Sequence, residues 1–365
     1  MLYNSRMKIL IAPMIQTPRL DSTYFLCNNL IPLLQQNGHR VALSAMPENN
    51  FHQVSLYEGP RPRRHVFTST ARTYEEWLYN TGAADYKYLQ NDYATLLSAI
   101  DNFKPDRIIS MDRIAACAAA RNSQIPCIEI VNSAMYRYTD IAPNIMKGIN
   151  AFLSSIHLEQ VFDMKDFYRQ NSLCIGFGPI EPCPFPLKEN VQRIGIPSVY
   201  PLHKKLSNRV CVYLSHVKMK PRNIRKLLIE AFQGAPYVVS AWYKGSHTEK
   251  VGNVHFTNYP DSELLCGSMA CIHDGNPYIY HECMAIGLPQ LMIYDKDWNR
   301  MSIAQAIRRC GFGIAMPEED FNIRLLYEQY RNLVIDDDYY DNTQKIKDQI
   351  LSEGDLTQIF QYLSF

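Results

Sequence analysis

The sequence predicts an α/β protein with two domains, each built on a parallel β-sheet covered by helices. Three observations support this prediction. The chain has 365 residues, which is long for one hydrophobic core because domains usually contain about 100 to 200 residues. Short apolar runs alternate with amphipathic segments along both halves of the chain. Between the halves, six prolines fall within residues 179–201, so this stretch is unsuited to a long helix or a central strand.

The N-terminal half begins with a strand–helix–strand unit. Residues 7–12 form an apolar run that ends at Pro13, a pattern typical of a strand buried on both faces. Residues 24–36 carry apolar side chains at helical spacing, and Gly38 stands where a C-cap glycine is expected. A helical crossover between two strands makes them parallel, and such units are right-handed. The next strand of the unit is Arg40–Ala45, and the alternation recurs in a strand at 108–111, a helix at 114–121 and a strand at 127–131.

The C-terminal half repeats this alternation. Its predicted strands are residues 209–214, 237–241, 254–257, 269–272 and 290–294, and its predicted helices are 222–232, 262–267 and 280–286. We assign residues 1–185 to an N-terminal Rossmann-like domain, 186–205 to a linker, 206–345 to a C-terminal Rossmann-like domain, and 346–365 to a helical tail that packs back on the N-terminal domain. Two such domains are expected to face each other across a cleft at the carboxyl ends of their strands, where ligands bind in such folds.

Composition excludes several functional classes. Thirty-seven Lys and Arg residues against 36 Asp and Glu residues give a net charge of +1, so no global field attracts nucleic acid or an anionic membrane. The basic run 61–65 lacks interleaved aromatic residues and is interpreted as a solvated loop, or alternatively as a contact to a second substrate. Ten cysteines without a CxxC pair indicate reduced thiols, a cytoplasmic location and no zinc framework. The histidines lack ligand spacing, and no apolar run is long enough to span a bilayer.

One segment points to a function. Residues 253–313, which include the string HDGNPYIYHECMAIGLPQ, resemble the donor-binding segment of the GT-B glycosyltransferases that modify natural products, steroids and lipids. This resemblance implies transfer of a hexose or deoxyhexose from a UDP- or dTDP-sugar to a hydroxyl of a small, apolar acceptor. It also implies inversion at the anomeric carbon, no metal ion and no cofactor beyond the nucleotide sugar as co-substrate. The N-terminal domain is then expected to bind the acceptor.

The resemblance also implies roles for individual residues of the donor site. Glu282 matches a glutamate that accepts hydrogen bonds from the ribose, a role that suits a carboxylate because it offers only acceptors. Tyr259 matches a position that stacks on the base. The remaining implied donor contacts are Ser215, His216, His273, Asp274, Gly275 and Asn276 at the phosphates, and Asp297 and Asn299 at the sugar hydroxyls. For His273, the alternative is a histidine hydrogen-bonded at a strand end. The loop at 273–276 precedes a helix, whose N-terminus favours an anion.

The chain departs from the family pattern at two places. Pro277 follows the phosphate loop where the family has glycines, and Asp274 would repel a diphosphate. The loop after the first strand lacks the family's catalytic histidine. Asp21 is the ordinary Brønsted base in that loop and is the predicted general base, although it could instead cap the helix that follows. Arg19 is predicted to orient a phosphate or an acidic acceptor.

Trp77 lies in an aromatic-rich stretch at 74–93, which is predicted to line the acceptor pocket; core packing is the alternative. Two other functions remain open from the sequence alone. One is a nucleotide-sugar epimerase of the same fold, and the other is a non-catalytic binding or scaffold protein. The pattern shows no symmetric interface, so we expect a monomer or a weak homodimer.

Overall fold

The structure is a computed structural model, and it describes residues 6–14, 22–47, 51, 54–64, 70–137, 141–142, 144–178, 185–186, 190–196, 208–258 and 263–364. The chain divides into two compact units. Unit 1 comprises Met1–Pro197 with Asp355–Phe365, and unit 2 comprises Ser198–Gly354. Each unit has its own sheet and its own hydrophobic core. The predicted two parallel-sheet α/β domains are therefore confirmed.

Unit 1 is a seven-stranded parallel sheet covered by helices. The strands are β1 (Lys8–Pro13), β2 (Arg40–Ala45), β3 (Ser55–Glu58), β4 (Arg107–Met111), β5 (Cys127–Ile130), β6 (Leu173–Phe177) and β7 (Gln192–Ile194). The helices are α1 (Ser22–Gln36), α2 (Tyr74–Thr81), α3 (Tyr86–Phe103), α4 (Ile114–Asn122), α5 (Lys147–Ser155) and α6 (Met164–Asn171). The strand order is β3-β2-β1-β4-β5-β6-β7. The order reverses between β1 and β4, so the topological switch point lies there.

The end of the chain returns to unit 1. The short helix α13 (Phe360–Leu363) and the turn before it contribute Leu356, Ile359 and Leu363 to the unit 1 core. Arg107 Nε donates to the Leu363 carbonyl oxygen at 2.9 Å, and Gln358 Oε1 accepts from the Gly195 amide at 2.7 Å. The predicted tail at 346–365 is thus divided, since its first residues continue a helix of unit 2.

Unit 2 repeats the architecture with a hairpin added. The strands are β8 (Arg209–Leu214), β9 (Val238–Tyr243), β10 (Glu249–Val251), β11 (Val254–Phe256), β12 (Ala270–His273), β13 (Gln290–Tyr294) and β14 (Gly313–Pro317). The helices are α7 (Pro221–Phe232), α8 (Glu263–Cys266), α9 (Pro277–Ile286), α10 (Trp298–Cys310), α11 (Ile323–Ile335) and α12 (Asp337–Glu353). The order is β10-β11-β9-β8-β12-β13-β14, parallel except for the β10–β11 pair. The order reverses between β8 and β12, which places the switch point of this unit there.

Two segments differ from the sequence prediction. Residues 192–194, assigned to the linker, form the edge strand β7 beside β6; an edge position tolerates the prolines nearby because only one side must pair. Helix α9 begins at Pro277 rather than at residue 280, since Asn276 caps it and proline suits the first helical position. Among the described residues, none of the helices has the length and apolarity that crossing a membrane requires.

Candidate functional site

The carboxyl ends of β8 and β12 form the centre of the candidate site. Ser215 and His216 follow β8, and Asp274 follows β12. These strands are parallel neighbours, with Tyr213 paired to His273 in register, so the residues after them meet at one edge of the sheet. This edge is the switch point of unit 2, the place where α/β sheets of this kind bind ligands. Three residues predicted for the donor site are therefore brought together.

The Asp274 carboxylate is buried and fully engaged. Its Oδ1 accepts from Ser215 Oγ at 3.3 Å, and its Oδ2 accepts from the backbone N–H of His216. Burial acts to raise the pKa of Asp274, but the hydrogen bonds and charge of His216 and the charge of Arg300 outweigh it, so the pKa lies below its ordinary value. Asp274 is therefore a carboxylate that organises the loop after β8.

His273 faces the interior of unit 2. Its Nε2 lies 2.9 Å from Gln290 Oε1, and its Nδ1 accepts from the Gly275 amide at 3.1 Å. This pattern puts the proton on Nε2. Burial lowers the pKa of His273 to about 4, so the ring is neutral near neutral pH. The geometry matches the alternative of a hydrogen-bonded histidine at a strand end, and direct contact with a donor stays a prediction.

Gly275 and Asn276 shape the turn that leads into α9. Gly275 has φ +78°, a conformation that residues with a side chain rarely adopt, so glycine is favoured at this turn. The Asn276 side chain accepts from the amide of Tyr278 at 3.0 Å and caps the helix. Its side-chain oxygen also accepts from the amide of Ile279 at 3.5 Å, so it has a structural role and engages two amides of the first turn of α9. Pro277 provides no amide donor.

Glu282 lies on α9, about one and a half turns after its first residue Pro277, and is 1% exposed. Tyr278, one turn earlier on the same face, is hydrogen-bonded to its carboxyl group. The second oxygen, Oε2, has no hydrogen-bond partner among the described residues. Burial raises the pKa of Glu282 to about 8. A buried carboxyl oxygen without a donor costs stability in the folded protein, and a ligand hydroxyl would relieve that cost.

Sequence reasoning missed a cluster of charged side chains formed by the loop after β13 and the start of α10. Arg300 binds both carboxylate oxygens of Asp295, with Nε–Oδ1 2.8 Å and Nη2–Oδ2 2.9 Å. Lys218 Nζ lies 3.3 Å from Asp295 Oδ2. Asp297, predicted to bind sugar hydroxyls, caps α10 by accepting from the amides of Asn299 and Arg300 at 3.1 and 3.2 Å. The predicted sugar contacts of Asp297 and Asn299 stay predictions.

Unit 1 has a polar cluster at its own switch point. Asp112 directly follows β4 and has φ +59°, a conformation that costs energy for a residue with a side chain and often marks functional sites. Tyr74 donates to Asp112 Oδ1 at 2.9 Å, and Glu129 Oε1 accepts from the Asp112 amide at 2.7 Å. Burial raises the pKa of Glu129 well above its ordinary value. The signal in the sequence was an aspartate immediately after a buried strand.

The remaining predicted residues are not part of this cluster or are not described. Trp77 is half-buried on α2, where its ring stacks on Tyr74 with centroids 5.7 Å apart, so it packs beside the Asp112 cluster. Asp21, Arg19 and Tyr259 lie outside the described residues. Within the residues that the structure does describe, His, Cys, Asp and Glu form no group of three or more that could hold a metal ion.

Residues 244–364 match the family model for the erythromycin biosynthesis protein CIII-like, C-terminal domain. Whole-chain similarity extends to a calicheamicin glycosyltransferase, CalG4, with TM-score 0.72, 14% identity and 98% of each chain covered. The chain has the fold of the GT-B glycosyltransferases. The resemblance predicted from residues 253–313 is thereby confirmed.

Two further structures share the GT-B fold with this chain. The spinosyn forosaminyltransferase SpnP has TM-score 0.68 and 16% identity, with 99% of this chain and 100% of that chain covered. The glycosyltransferase VinC, solved in complex with dTDP, has TM-score 0.68 and 16% identity, with 98% of each chain covered. At these identities the likeness concerns the fold. A search of curated proteins finds no match.

Proposed function

We propose that this protein is a glycosyltransferase that moves a sugar from a UDP- or dTDP-sugar to a hydroxyl of a small, apolar acceptor, with inversion and without a metal ion. The observation that carries the proposal is Glu282, whose buried carboxyl oxygen lacks a partner among the described residues. It lies in the segment that matches the EryCIII-like C-terminal domain. A ribose or deoxyribose hydroxyl is a donor of the kind that this oxygen lacks.

The geometry of unit 2 supports the donor half of the proposal. Ser215 and His216 stand at the switch point, and the loop at 273–276 leads into the N-terminus of α9. The helix dipole there favours the diphosphate. VinC, a protein of the same fold, binds dTDP. We propose the same ligand class for this site, with Tyr259 stacking on the base and Asp297 and Asn299 at the sugar.

The transfer step requires a base for the acceptor hydroxyl. We propose that Asp21 takes this proton as the acceptor oxygen attacks the anomeric carbon and the bond to the diphosphate breaks. Arg19 and Trp77 are proposed acceptor contacts. Because direct displacement occurs once, the configuration at the anomeric carbon inverts. Asp112 is the alternative base, since it lies at the carboxyl end of β4, the strand beside β1.

Two measurements test the proposal. Thermal shifts with UDP, dTDP, UDP-glucose and dTDP-glucose should show binding by the wild type and a loss of binding by Glu282→Ala. Nucleoside diphosphate should then be released from the bound sugar nucleotide only when an acceptor is present. Release without acceptor indicates a hydrolase, and conversion of the bound sugar nucleotide to its epimer without release indicates an epimerase. Binding with neither release nor epimerisation over an acceptor panel indicates a non-catalytic protein.

The base is tested separately. Asp21→Asn should retain sugar-nucleotide binding and lose turnover by a factor of about 10² or more. If Asp21→Asn keeps full turnover while Asp112→Asn loses it, the base is Asp112. If Glu282→Ala, Asp21→Asn and Asp112→Asn are all fully active, the whole site assignment is wrong.

A further inference from the structure

Helix α11 turns one face to the core of unit 2 and the opposite face to solvent. Its buried residues Leu326, Tyr330 and Leu333 lie on the inner face. An α-helix has about 3.6 residues per turn, so the residues four, seven and eleven positions after Arg324 share one face with it. That face is the outer one, and its exposed residues are Arg324, Glu328, Arg331 and Ile335.

The outer face of α11 ends in an apolar side chain, since Ile335 is 65% exposed. Six large apolar side chains are exposed in the part of the chain that the structure describes, and four of them lie on α11 or α12. These four are Ile323, Ile335, Tyr340 and Leu351. Exposed apolar side chains concentrated on two neighbouring helices indicate a surface that binds another macromolecule. The exposed acidic residues Asp336–Asp338, directly after Ile335, disfavour an anionic membrane as that partner.

A cavity of about 400 Å³ lies beside this face, between α7 and α11. Ala231, Ile323 and Tyr327 give it apolar and aromatic walls, and two arginines and two glutamates of α7 and α11 also line it. The cavity therefore suits an apolar side chain that is flanked by charges of both signs. Ile335 is such a side chain, because Arg331 precedes it by one turn and Asp336 follows it.

The outer face of α11 is complementary to itself when its direction is reversed. Two copies of α11 in antiparallel contact, with a two-fold axis midway between Glu328 and Arg331, place Glu328 of each copy opposite Arg331 of the other. The same register places Ile335 opposite Arg324, at the wall of the cavity, since both pairs are centred at the same point of the helix. Arg324 also comes beside the acidic residues Asp336–Asp338 of the second copy. A parallel pairing would instead set each charge against itself.

Within one copy, the charges of this face are weakly engaged. Arg324 Nε lies 3.9 Å from Glu328 Oε2, and the two side chains are 91% and 52% exposed. Exposed pairs of this kind contribute little to stability. Glu328 can therefore exchange this contact for Arg331 of a second copy at small cost.

We propose that unit 2 binds a second copy of this chain through the outer face of α11. The homodimer is two-fold symmetric, with ion pairs between Glu328 and Arg331 on both sides of the axis and Ile335 of each copy packed at the cavity of the other. A single pair of helices covers less surface than the roughly 1,200–2,000 Å² of a stable interface, so the dimer is weak and forms in the micromolar range. It forms without a sugar nucleotide, because none of these residues belongs to the proposed donor site.

Charge reversal provides the decisive experiment. Glu328→Arg sets arginine against arginine across the axis, and Arg331→Glu sets glutamate against glutamate, so each variant alone should dimerise at least about tenfold more weakly than the wild type. In an equimolar mixture of the two variants, every arginine of this contact faces a glutamate again. The mixture should therefore form heterodimers about as tightly as the wild type forms homodimers. Sedimentation velocity from about 1 to about 200 µM measures each dissociation constant.

The apolar contact is tested separately, and each change has a matched control. Ile335→Ser should weaken the dimer at least about tenfold, because it removes an apolar contact from both halves of the interface. Phe162→Ser, at a 90% exposed apolar residue of unit 1, should leave the dissociation constant unchanged. Asp101→Arg reverses an exposed charge on α3 that pairs with Lys104, and it should leave the dissociation constant unchanged as well.

Three results would overturn the proposal. The first is a wild type that remains monomeric at about 200 µM. The second is a dimer that both single charge reversals leave intact, since it would form through another surface. The third is a dimer that both reversals weaken and the mixture does not restore, because the antiparallel pairing would then be wrong. Should a charge-reversal variant fail to fold, the comparison of Ile335→Ser with Phe162→Ser decides the question.

Discussion

Replacing Glu282 by glutamine should stabilise the unliganded protein at alkaline pH and weaken nucleotide binding. Burial raises the pKa of Glu282 from its ordinary 4.5 to about 8. The folded state therefore holds a proton that the unfolded state releases between these values, and stability falls as the pH rises through this window. At about 1.4 kcal/mol per pH unit, the full interval corresponds to on the order of 4–5 kcal/mol. Relaxation around the ionised group reduces this, so we expect about 2–4 kcal/mol.

Urea unfolding at pH 5 and pH 8.5 measures this effect. Tryptophan fluorescence follows it because Trp242 and Trp298 both lie in unit 2. The wild type and Glu282→Gln should have similar free energies of unfolding at pH 5, and the variant should be more stable at pH 8.5. Glu319→Gln, at an exposed glutamate of the same unit, should show no such divergence.

A constant difference between the wild type and Glu282→Gln across this range would refute the reasoning, because it would mean that the carboxyl group ionises in the folded state as easily as in water. The binding data provide the functional half. A neutral amide always places a donor beside a ligand hydroxyl, whereas Glu282 can release its proton on binding and then offers only acceptors, so UDP and dTDP should bind at least about tenfold more weakly to the variant.

Three further predictions concern the frame around the sites. Gly275→Ala should lower the free energy of unfolding by more than Gly234→Ala, because Gly275 has φ +78° and a methionine methyl would lie 2.1 Å from the new Cβ. Gly234 has φ +74° but open space around it, so its replacement should cost about 1 kcal/mol. Equal costs in urea unfolding would contradict the packing argument. Asp92→Ala should cost about 3–5 kcal/mol because it leaves Arg113 charged and buried, and a loss below 1 kcal/mol would be inconsistent with this. His273→Leu should cost about 2–3 kcal/mol at pH 8 and about 1 kcal/mol less at pH 6, since burial lowers the pKa of His273 from 6.5 to about 4 and only the unfolded wild type binds the proton at pH 6; a loss that is larger at pH 6 would show that the folded ring is charged.

Local sequence was sufficient for the elements whose cause is local. Apolar runs of strand length predicted β2, β8 and β13 with the bounds that the structure has, since a strand buried on both faces needs apolar side chains throughout. Alternation of strands with helices predicted parallel sheets, because each crossover covers a face. The segment at 253–313 predicted the fold family, which the whole-chain similarity to CalG4 confirmed.

Only the tertiary structure decided which side chains meet. Ser215 and Asp274 are 59 residues apart and interact because β8 and β12 are neighbours, an order set by how the two halves of the sheet pack rather than by either segment. The same holds for the hydrogen bond between Tyr74 and the strained Asp112, which are 38 residues apart. It also holds for β7, because its pairing with β6 places residues that were predicted as linker in a sheet. Burial of Glu282 is likewise a property of the packed helix, and it turns an ordinary carboxylate into one that needs a ligand. The sequence by itself determined the elements and the fold, because these follow from local patterns of apolar and polar residues; the charges of the site depend on neighbours that only the folded sheet brings together.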